Sequence, residues 1–346
     1  MSAPRVVALG GGHGLSASLQ ALRHITEAIT AVVTVADDGG SSGRLREEYD
    51  ILPPGDLRMA LAALCEDTAW GHQWSAVLQH RFRGQGELAG HALGNLLIMA
   101  LWDLLPGHEV RGLDLVGRLL NTRGRVLPMA LVPLDIEATL TEGPDGDDGG
   151  AAHVGGAAAH VGGATARAVG EGTGGREVTV RGQSAVASHP GTVTSVRLLP
   201  DRPPACPEAL ESIKLADFVV LGPGSWFTSV MPHLLVPDLR QALIDTPAHR
   251  ILTLNVSLTD DETSGYTVAG HVEAIARHAP GLTFDHVIAD PQVVRTDAER
   301  EALQAAVDQV GGRLVVTTVG TMRRPGVHDT LRLAAAYRDV MTGGHA

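Results

Sequence analysis

Short apolar strands that run directly into glycine-rich loops and then into helices are the feature that most constrains this chain. Residues 5–9 form an apolar run closed by glycines, and the spacing of Leu15–Leu22 predicts a helix after it. A second run, Thr30–Ala36, is apolar and β-branched on both faces, as expected of a parallel strand covered by helices on each side. The chain therefore opens with a βαβ unit.

The same alternation fills the second half of the sequence. Helices are predicted from Pro207, between Leu221 and Arg250 after a glycine loop, over Val268–Arg277, from Ala298 and after His328. Strands are predicted between them over Asp217–Leu221, Arg250–Asn255, His286–Ala289 and Arg313–Thr318. This order predicts an α/β fold with a doubly wound, mostly parallel, Rossmann-like sheet, whose ligands bind beyond the carboxyl ends of the strands.

The middle of the chain departs from this alternation. Helical periodicity covers Asp56–Leu64, Trp74–Phe82, Ala92–Leu105 and Leu113–Leu120. Extended segments follow over Val126–Leu140, Glu177–Val180 and Thr192–Leu199. We expect a helical layer and then a small β-rich excursion made of hairpins.

Residues 142–176 consist almost entirely of Gly, Ala, Asp and His, with a short repeat around His153 and His160. Such a composition offers too few apolar side chains to form a core. A histidine metal loop or a partner-binding tail is one interpretation, but composition favours a disordered insert. We predict a single α/β domain over residues 1–346 that carries this insert.

The composition limits which binding partners and which cellular compartment are expected. The formal net charge is −12, which argues against nucleic-acid binding through a basic surface. The most apolar stretch, Leu93–Leu105, is too short to cross a bilayer, so we expect a soluble, cytoplasmic protein without a membrane segment. Cys65 and Cys206 lack the spacing of a disulfide or zinc framework, and we expect two buried thiols.

The first candidate binding loop is a run of glycines and one histidine between the first strand and the first helix. Backbone N–H groups and the helix amino terminus at this position favour a phosphate group. The loop lacks the Lys-Ser/Thr ending of a P-loop, and its fit to a dinucleotide fingerprint is imperfect because Leu15 occupies the third glycine position. A plain turn is the alternative. The phosphate-binding candidates here are Gly10, Gly11, Gly12, His13 and Gly14.

The second loop starts at the carboxyl end of the second predicted strand. Asp37 lies near the position of a ribose-binding acid, and Asp37, Asp38 and Asp56 together offer hard oxygen ligands for Mg²⁺. An Asx turn, and helix capping by Asp56, are the alternatives. Arg44, Arg46 and Arg58 are expected to neutralise phosphate. The binding candidates in this loop are Asp37, Asp38, Gly39, Gly40, Ser41, Ser42 and Arg44.

Two further segments complete the predicted site. His91 and Asn95 share one helix face, where Asn95 serves either to recognise a base or sugar or to make a core hydrogen bond. A second glycine loop follows the strand that ends at Leu221, and Trp226 and Phe227 beside it either cover a flat ligand or pack in the core. The candidates in this loop are Gly222, Pro223, Gly224, Ser225 and Thr228.

Five blocks in this order resemble the YvcK family, the gluconeogenesis factors of the CofD-like superfamily. They are Gly10–Gly14, Val33–Arg44, Pro53–Asp56, Gly90–Leu97 and Leu221–Ser229, and the similarity extends from about Arg5 to the final helix. The chain departs from the family at Asn255–Thr263, where many relatives carry Asn-x-Met-Thr-Gln-Pro-Gly-Glu-Thr.

The resemblance implies a cytoplasmic α/β protein that binds a UDP-sugar such as UDP-N-acetylglucosamine and is needed for cell-wall synthesis and cell shape. No reaction is implied; a regulatory protein partner and a homo-oligomer are further expectations. The related transferase branch moves a phospholactyl-type group onto a 5-deazaflavin in coenzyme F420 biosynthesis with magnesium. The run Gly39–Arg44 favours the non-transferase branch. A transferase of that type and an NAD-binding oxidoreductase stay as alternatives.

Overall fold

The computed structural model describes residues 3–142, 166–172, 175–189, 191–258, 266–321 and 326–343. The strands within these residues are β1 Val6–Gly10, β2 Ile29–Val33, β3 Arg125–Pro128, β4 Asp135–Glu142, β5 Ala166–Gly172, β6 Gly175–Arg181, β7 Thr192–Leu199, β8 Phe218–Leu221, β9 His249–Thr253, β10 His286–Ala289 and β11 Arg313–Val316.

The first half of the chain contains six α-helices among its described residues, and they include the helical layer that the sequence predicts. They are α1 Gly12–Leu22, α2 Gly40–Tyr49, α3 Pro54–Leu64, α4 Ala69–Gln79, α5 Leu93–Leu104 and α6 Glu109–Leu119. Those of the second half are α7 Gln183–Ser188, α8 Pro207–Leu215, α9 Met231–Leu235, α10 Pro237–Asp245, α11 Val268–His278, α12 Asp297–Gln309 and α13 Thr330–Met341.

The large sheet is parallel and has the order β11-β10-β9-β8-β1-β2-β3. All five residues of β1 are buried, because helices cover both faces of this central strand. Leu9 pairs with Val32 on one side and with Leu221 on the other. The chain therefore lays β2 and β3 to one side of β1 and returns with β8 on the opposite side, which confirms the doubly wound fold.

The small sheet is antiparallel and has the order β5-β6-β4-β7. Its β4 and β6 form a ladder that ends with Glu142 opposite Arg176. This sheet confirms the predicted β-rich excursion. The disordered insert predicted over residues 142–176 includes residues that form a strand, because residues 166–172 pair as β5 with β6. Residues 143–165, with His153 and His160, lie outside the described residues.

Two helices have no counterpart in the sequence prediction. Helix α2 begins in the Gly-Ser run that was interpreted as a loop, and its buried face consists of Ser41, Ser42 and Leu45. This face lacks the apolar stripe that identifies a helix. Helix α7 has six residues, too few for a periodic pattern. Helix α4 starts five residues before its predicted start, at Ala69, where the Oγ1 of Thr68 caps it by accepting from the Gly71 N–H (3.1 Å).

The interior beneath the sheet is apolar with a few paired polar groups. The buried Tyr337 hydroxyl lies 2.6 Å from Ser18 Oγ and 3.0 Å from Thr253 Oγ1, so it ties α13 to α1 and β9. Both cysteines are buried, as predicted, and burial raises the pKa of Cys65 to about 11 and of Cys206 to about 12. Across the part of the chain that the structure describes, every helix is too short or too polar to span a bilayer.

Candidate functional site

The two predicted glycine loops meet at the point where the winding of the sheet reverses. β1 and β8 are neighbours, so the loop that enters α1 and the loop after β8 leave the sheet side by side. Gly14 touches the second loop directly: a Cβ on Gly14 would overlap the carbonyl oxygen of Pro223 and lie 2.5 Å from the Cα of Gly224. Ligands of open α/β sheets bind in the crevice at such a reversal.

Gly12 begins α1 in a left-handed conformation that favours glycine. Its φ is +57°, and a Cβ at this position would meet no described atom within 4 Å. The amino end of α1 is therefore open above Gly12, and helix N–H groups in the first turn lack intrahelical partners. His13 is exposed beside it, whereas Gly10 and Gly11 are buried at the strand end.

The second loop is held by an asparagine that was not among the predicted site residues. Asn255, two residues after β9, accepts a hydrogen bond from the Gly224 N–H and donates one to the Gly224 carbonyl, both at 2.9 Å. Ser225 is partly exposed at the loop tip. The sequence could have indicated Asn255, because it is a polar residue just beyond a buried strand. Its two hydrogen bonds fix the position of the loop.

Residues 226–230, after the second loop, form a single π-helical turn that is entirely buried. Trp226 and Phe227 are each 1% exposed; Trp226 packs edge-on against His271 with ring centroids 4.8 Å apart, and Phe227 packs against Tyr266. These two aromatic side chains therefore pack in the core and do not cover a ligand at the surface of the loop. Thr228 is also buried, so it lies behind the loop rather than at its surface.

Two carboxylates lie beneath the glycine loops. Asp56, in the first turn of α3, is 8% exposed, and its Oδ2 has no hydrogen-bond partner among the described residues. A Cβ on Gly11 would lie 2.5 Å from this oxygen. Burial raises the pKa of Asp56 to about 7, and the charge of Asp37 adds to the effect, while the Gly12 amide and Arg58 oppose it.

Asp37 shares this buried environment with Asp56. Burial raises the pKa of Asp37, although its Oδ1 accepts a hydrogen bond from the Gly39 N–H at 3.0 Å. Burial disfavours the charged form of both carboxyl groups, and the charge of Asp37 further disfavours ionisation of Asp56. The site therefore holds less negative charge than its two aspartates suggest.

Asp38 is directed to a different part of the molecule. The backbone N–H and hydroxyl of Ser184, in α7, both donate to Asp38 Oδ1, at 2.9 and 2.7 Å. Throughout the described residues, no three His, Cys, Asp or Glu side chains are grouped to hold one metal ion. The described structure therefore does not group Asp37, Asp38 and Asp56, the three carboxylates predicted to bind Mg²⁺, around one point, and Asp38 is bonded to Ser184 instead.

A buried polar network lies beneath the first turn of α2, next to the acidic loop that follows β2. The Asn95 amide donates to Ser41 Oγ (3.0 Å) and Ser42 Oγ (3.5 Å), and its Oδ1 accepts from Arg58 Nε (2.9 Å). The Ser41 hydroxyl also lies 3.0 Å from His91 Nδ1. Asn95 is 1% exposed, so its amide acts as the core hydrogen-bonder of the two predicted alternatives, and Ser41 and Ser42 are buried with it.

The three arginines expected near phosphate have protein partners. Arg44 donates to the Ala89 carbonyl (2.7 Å), and Arg46 forms an ion pair with Asp135 at 2.6 Å at the start of β4. Arg58 is 4% exposed and also donates to the Gln79 side chain; its burial lowers its pKa to about 10. Gly40 is exposed at the start of α2, where the backbone N–H groups of a helix favour an anion.

Comparison with known proteins gives a consistent result. The family model described as 2-phospho-L-lactate transferase CofD matches residues 6–321. A Mycobacterium tuberculosis protein of the gluconeogenesis-factor group is 47% identical over 337 residues, which cover 97% of this chain and 90% of that protein. The gluconeogenesis factor of Bacillus subtilis is 33% identical over 298 residues, 86% of this chain and 82% of the relative.

A solved structure has the same architecture. The crystal structure of a UPF0052-family protein from Bacillus halodurans superposes with a TM-score of 0.76 at 31% identity, covering 97% of this chain and 99% of that one.

Proposed function

Because the chain belongs to the CofD-like family, in the gluconeogenesis-factor group, we propose that it is a regulatory protein that binds a UDP-sugar of the UDP-N-acetylglucosamine type. The diphosphate lies on the backbone N–H groups of the two glycine loops. The protein acts by reporting the ligand to a partner rather than by transforming it. No nucleic acid or membrane takes part.

The observation that carries this proposal is the contact between the two glycine loops at Gly14. Each loop follows a buried parallel strand, and each leads into a helical turn. Two loops that leave one reversal point together offer N–H groups to both phosphates of a diphosphate. The open space above Gly12 is where the first phosphate is bound.

The carboxyl groups beneath the loops fit the uncharged parts of such a ligand. Asp37 follows β2 by four residues, at the place where dinucleotide-binding folds put a ribose-binding acid. A carboxylate facing a diphosphate would repel it, but the raised pKa values of Asp37 and Asp56 reduce this repulsion.

Calorimetric titration with UDP-N-acetylglucosamine tests the proposal, with UDP, NAD and a 5-deazaflavin as comparison ligands. We expect binding of the UDP-sugar to the wild-type chain and at least about a tenfold weaker Kd for Gly12→Val, because a β-branched side chain fills the space above the loop. Gly281→Val is the matched control, since Gly281 also has a left-handed φ (+88°) and faces open space but lies before β10, at the opposite edge of the sheet from the loops.

The proposal fails if the UDP-sugar produces no binding signal at millimolar concentration, or if Gly12→Val binds it as the wild type does. Circular dichroism of each variant separates loss of binding from loss of fold. Binding of NAD in preference to the UDP-sugar would favour an oxidoreductase.

The family resemblance also supports a proposal for the role of the protein in the cell. We place the protein in the cytoplasm, in control of cell-wall synthesis and cell shape, with a protein partner and self-association as its means of signalling. Deletion of the gene is expected to alter cell shape, and the wild-type chain, but not Gly12→Val, is expected to restore it.

A second candidate function, a phospholactyl-type transferase onto a 5-deazaflavin, is favoured by the family model that matches residues 6–321. The purified chain with a 5-deazaflavin, a phospholactyl donor and Mg²⁺ is the assay, and a mass increase of the deazaflavin is its readout. Product formation lost in Asp56→Asn would support this candidate over the regulatory one.

A further inference from the structure

A polar cavity lies at the carboxyl ends of α1 and α3. It has a volume of about 300 Å³. Helix α1 runs from Gly12 to Leu22 and α3 from Pro54 to Leu64, so both begin at the candidate nucleotide site and end at this cavity. Arg23 and Cys65, the residues that terminate these helices, line its wall.

Two guanidinium groups face the cavity from separate segments. Arg23 Nη1 donates to the Ala63 carbonyl at 3.0 Å, which fixes this side chain at the end of α3. Its Nε is buried and has no hydrogen-bond partner in the described ranges, and Arg23 forms no ion pair with a carboxylate there. The Arg123 backbone N–H donates to the Leu64 carbonyl at 2.8 Å, and the Arg123 guanidinium is 3.9 Å from the highly exposed Glu27.

The positive charge of this pair is only partly compensated. Burial lowers the pKa of Arg23, and the charge of Arg123 lowers it further, whereas the charge of Asp67 raises it. Asp67 is itself engaged with His72, at 2.7 Å. Glu66 and Asp67 on the same wall offset part of this charge, and the two guanidinium groups offer charge-assisted hydrogen bonds to one anionic group.

The rest of the wall suits a neutral, hydroxyl-bearing group. Gln20, Ser75 and Thr330 contribute an amide and two hydroxyls, and Glu66 and Asp67 contribute carboxylates. Carboxylates accept hydrogen bonds from hydroxyl groups but repel a second anionic group. A ligand with one anionic end and a polyhydroxylated body therefore fits this wall, and a polycarboxylate does not.

We infer that this cavity is a second ligand site, which binds a sugar monophosphate with its phosphate on Arg23 and Arg123 and its hydroxyls on Gln20, Ser75 and Asp67. Its volume is at the lower end of the range of ligand pockets, roughly 300–1,000 Å³, and suits a hexose monophosphate. The site is separate from the glycine loops and does not depend on the function proposed for them.

Titration of the full chain with glucose 6-phosphate tests the inference, with glucose and inorganic phosphate as comparison probes. We expect a Kd below about 1 mM for glucose 6-phosphate and binding at least about tenfold weaker for each comparison probe. Arg123→Ala is expected to weaken glucose 6-phosphate binding by about tenfold or more, because a charge-assisted hydrogen bond is lost. Arg23→Gln is the second variant, and Arg118→Ala, exposed on the neighbouring α6, is the control.

The titration is repeated with saturating UDP-N-acetylglucosamine. Retained glucose 6-phosphate binding supports a separate site, and displacement overturns it. The inference is also overturned if glucose 6-phosphate fails to bind, if inorganic phosphate binds equally well, or if Arg123→Ala binds as the wild type does. The Arg123 side chain is partly exposed, so its variant reports on the cavity even if Arg23→Gln fails to fold. The arginine variants test the proposed sugar-monophosphate site even if the UDP-sugar does not bind.

Discussion

Asp56 carries an ionisable carboxyl group in surroundings that favour its neutral form. It is buried under the first glycine loop, one of its oxygens has no partner among the described groups, and the neighbouring Asp37 adds a like charge. Burying a carboxylate without full compensation destabilises the folded state, so this residue makes stability depend on pH.

The sign of that dependence follows from the raised pKa. In the unfolded chain Asp56 titrates near its ordinary value of 3.8, and in the folded protein near 7, so the folded state holds the proton over the range between them. The contribution of Asp56 to stability is complete below pH about 4 and is lost as the pH rises to about 7.

We therefore expect the free energy of unfolding of the wild type to fall relative to Asp56→Asn by roughly 2 kcal/mol between pH 5.5 and 8. Urea denaturation across this range measures it. Asp38→Asn is the control, because Asp38 hydrogen bonds to Ser184 outside the buried pair. Parallel curves for the wild type and Asp56→Asn would contradict the prediction.

Gly14 is the residue at which the two loops touch, so it tests their contact directly. Gly14→Ala would place a methyl group against the Pro223 carbonyl and the Gly224 Cα. We expect a loss of about 1–3 kcal/mol in the free energy of unfolding, since packed backbone cannot move aside freely. Gly86→Ala, which meets open space, is expected to be neutral or slightly stabilising. Equal stability of the two variants would show that the loops can separate at little cost.

At the scale of elements, regular periodicity was readable from the sequence and polar helices were not. β1 and β2 were predictable because apolar, β-branched runs closed by glycines have few other folded solutions. Helix α2 was not, because its buried face includes two serines whose partner Asn95 lies on α5, far along the chain. Local pattern cannot reveal a helix that is stabilised by distant hydrogen bonds.

The same distinction applies to the candidate site. The two glycine loops were predictable, since each directly follows a recognisable strand. The separation of Asp38 from Asp56 was not, because it depends on Ser184, which lies 146 residues further along the chain than Asp38. The packing of Trp226 and Phe227 was also left open, since an aromatic beside a loop reads equally well as core or as ligand cover.

Asn95 links three helices, and its substitution tests that role. Asn95→Ala leaves Arg58 Nε and the Ser41 hydroxyl without this partner in a buried place. We expect the free energy of unfolding to fall by roughly 2–4 kcal/mol in chemical denaturation. Asp103→Ala, on the exposed side of the same helix, is expected to change it by less than about 0.5 kcal/mol. A weaker UDP-sugar Kd with unchanged stability would instead make Asn95 a ligand contact.

At the scale of the whole molecule, the small sheet reaches the acidic loop of the candidate site through the short segment after β6. β6 ends at Arg181, and two residues later α7 begins and presents Ser184 to Asp38. A second link is the Tyr266 hydroxyl, which donates to the Val193 carbonyl of β7 at 2.7 Å. The small sheet thus positions the acidic loop after β2, and this role depends on β4, β6 and β7 rather than on the edge strand β5.

Replacing residues 143–174 by a two-residue Gly-Ser turn tests this division of roles. Glu142 and Arg176 are already paired across β4 and β6, so a short turn can join the two strands as a hairpin. Because β5 is an edge strand, we expect the melting temperature to change by no more than about 3 °C and the UDP-sugar Kd by less than about twofold. A second variant, with only residues 143–165 replaced by a short flexible loop, retains β5 and isolates its contribution. If both variants lose ligand affinity or change oligomeric state, the low-complexity segment belongs to the site or to an interface; if only the first does, β5 is needed to keep Ser184 against Asp38.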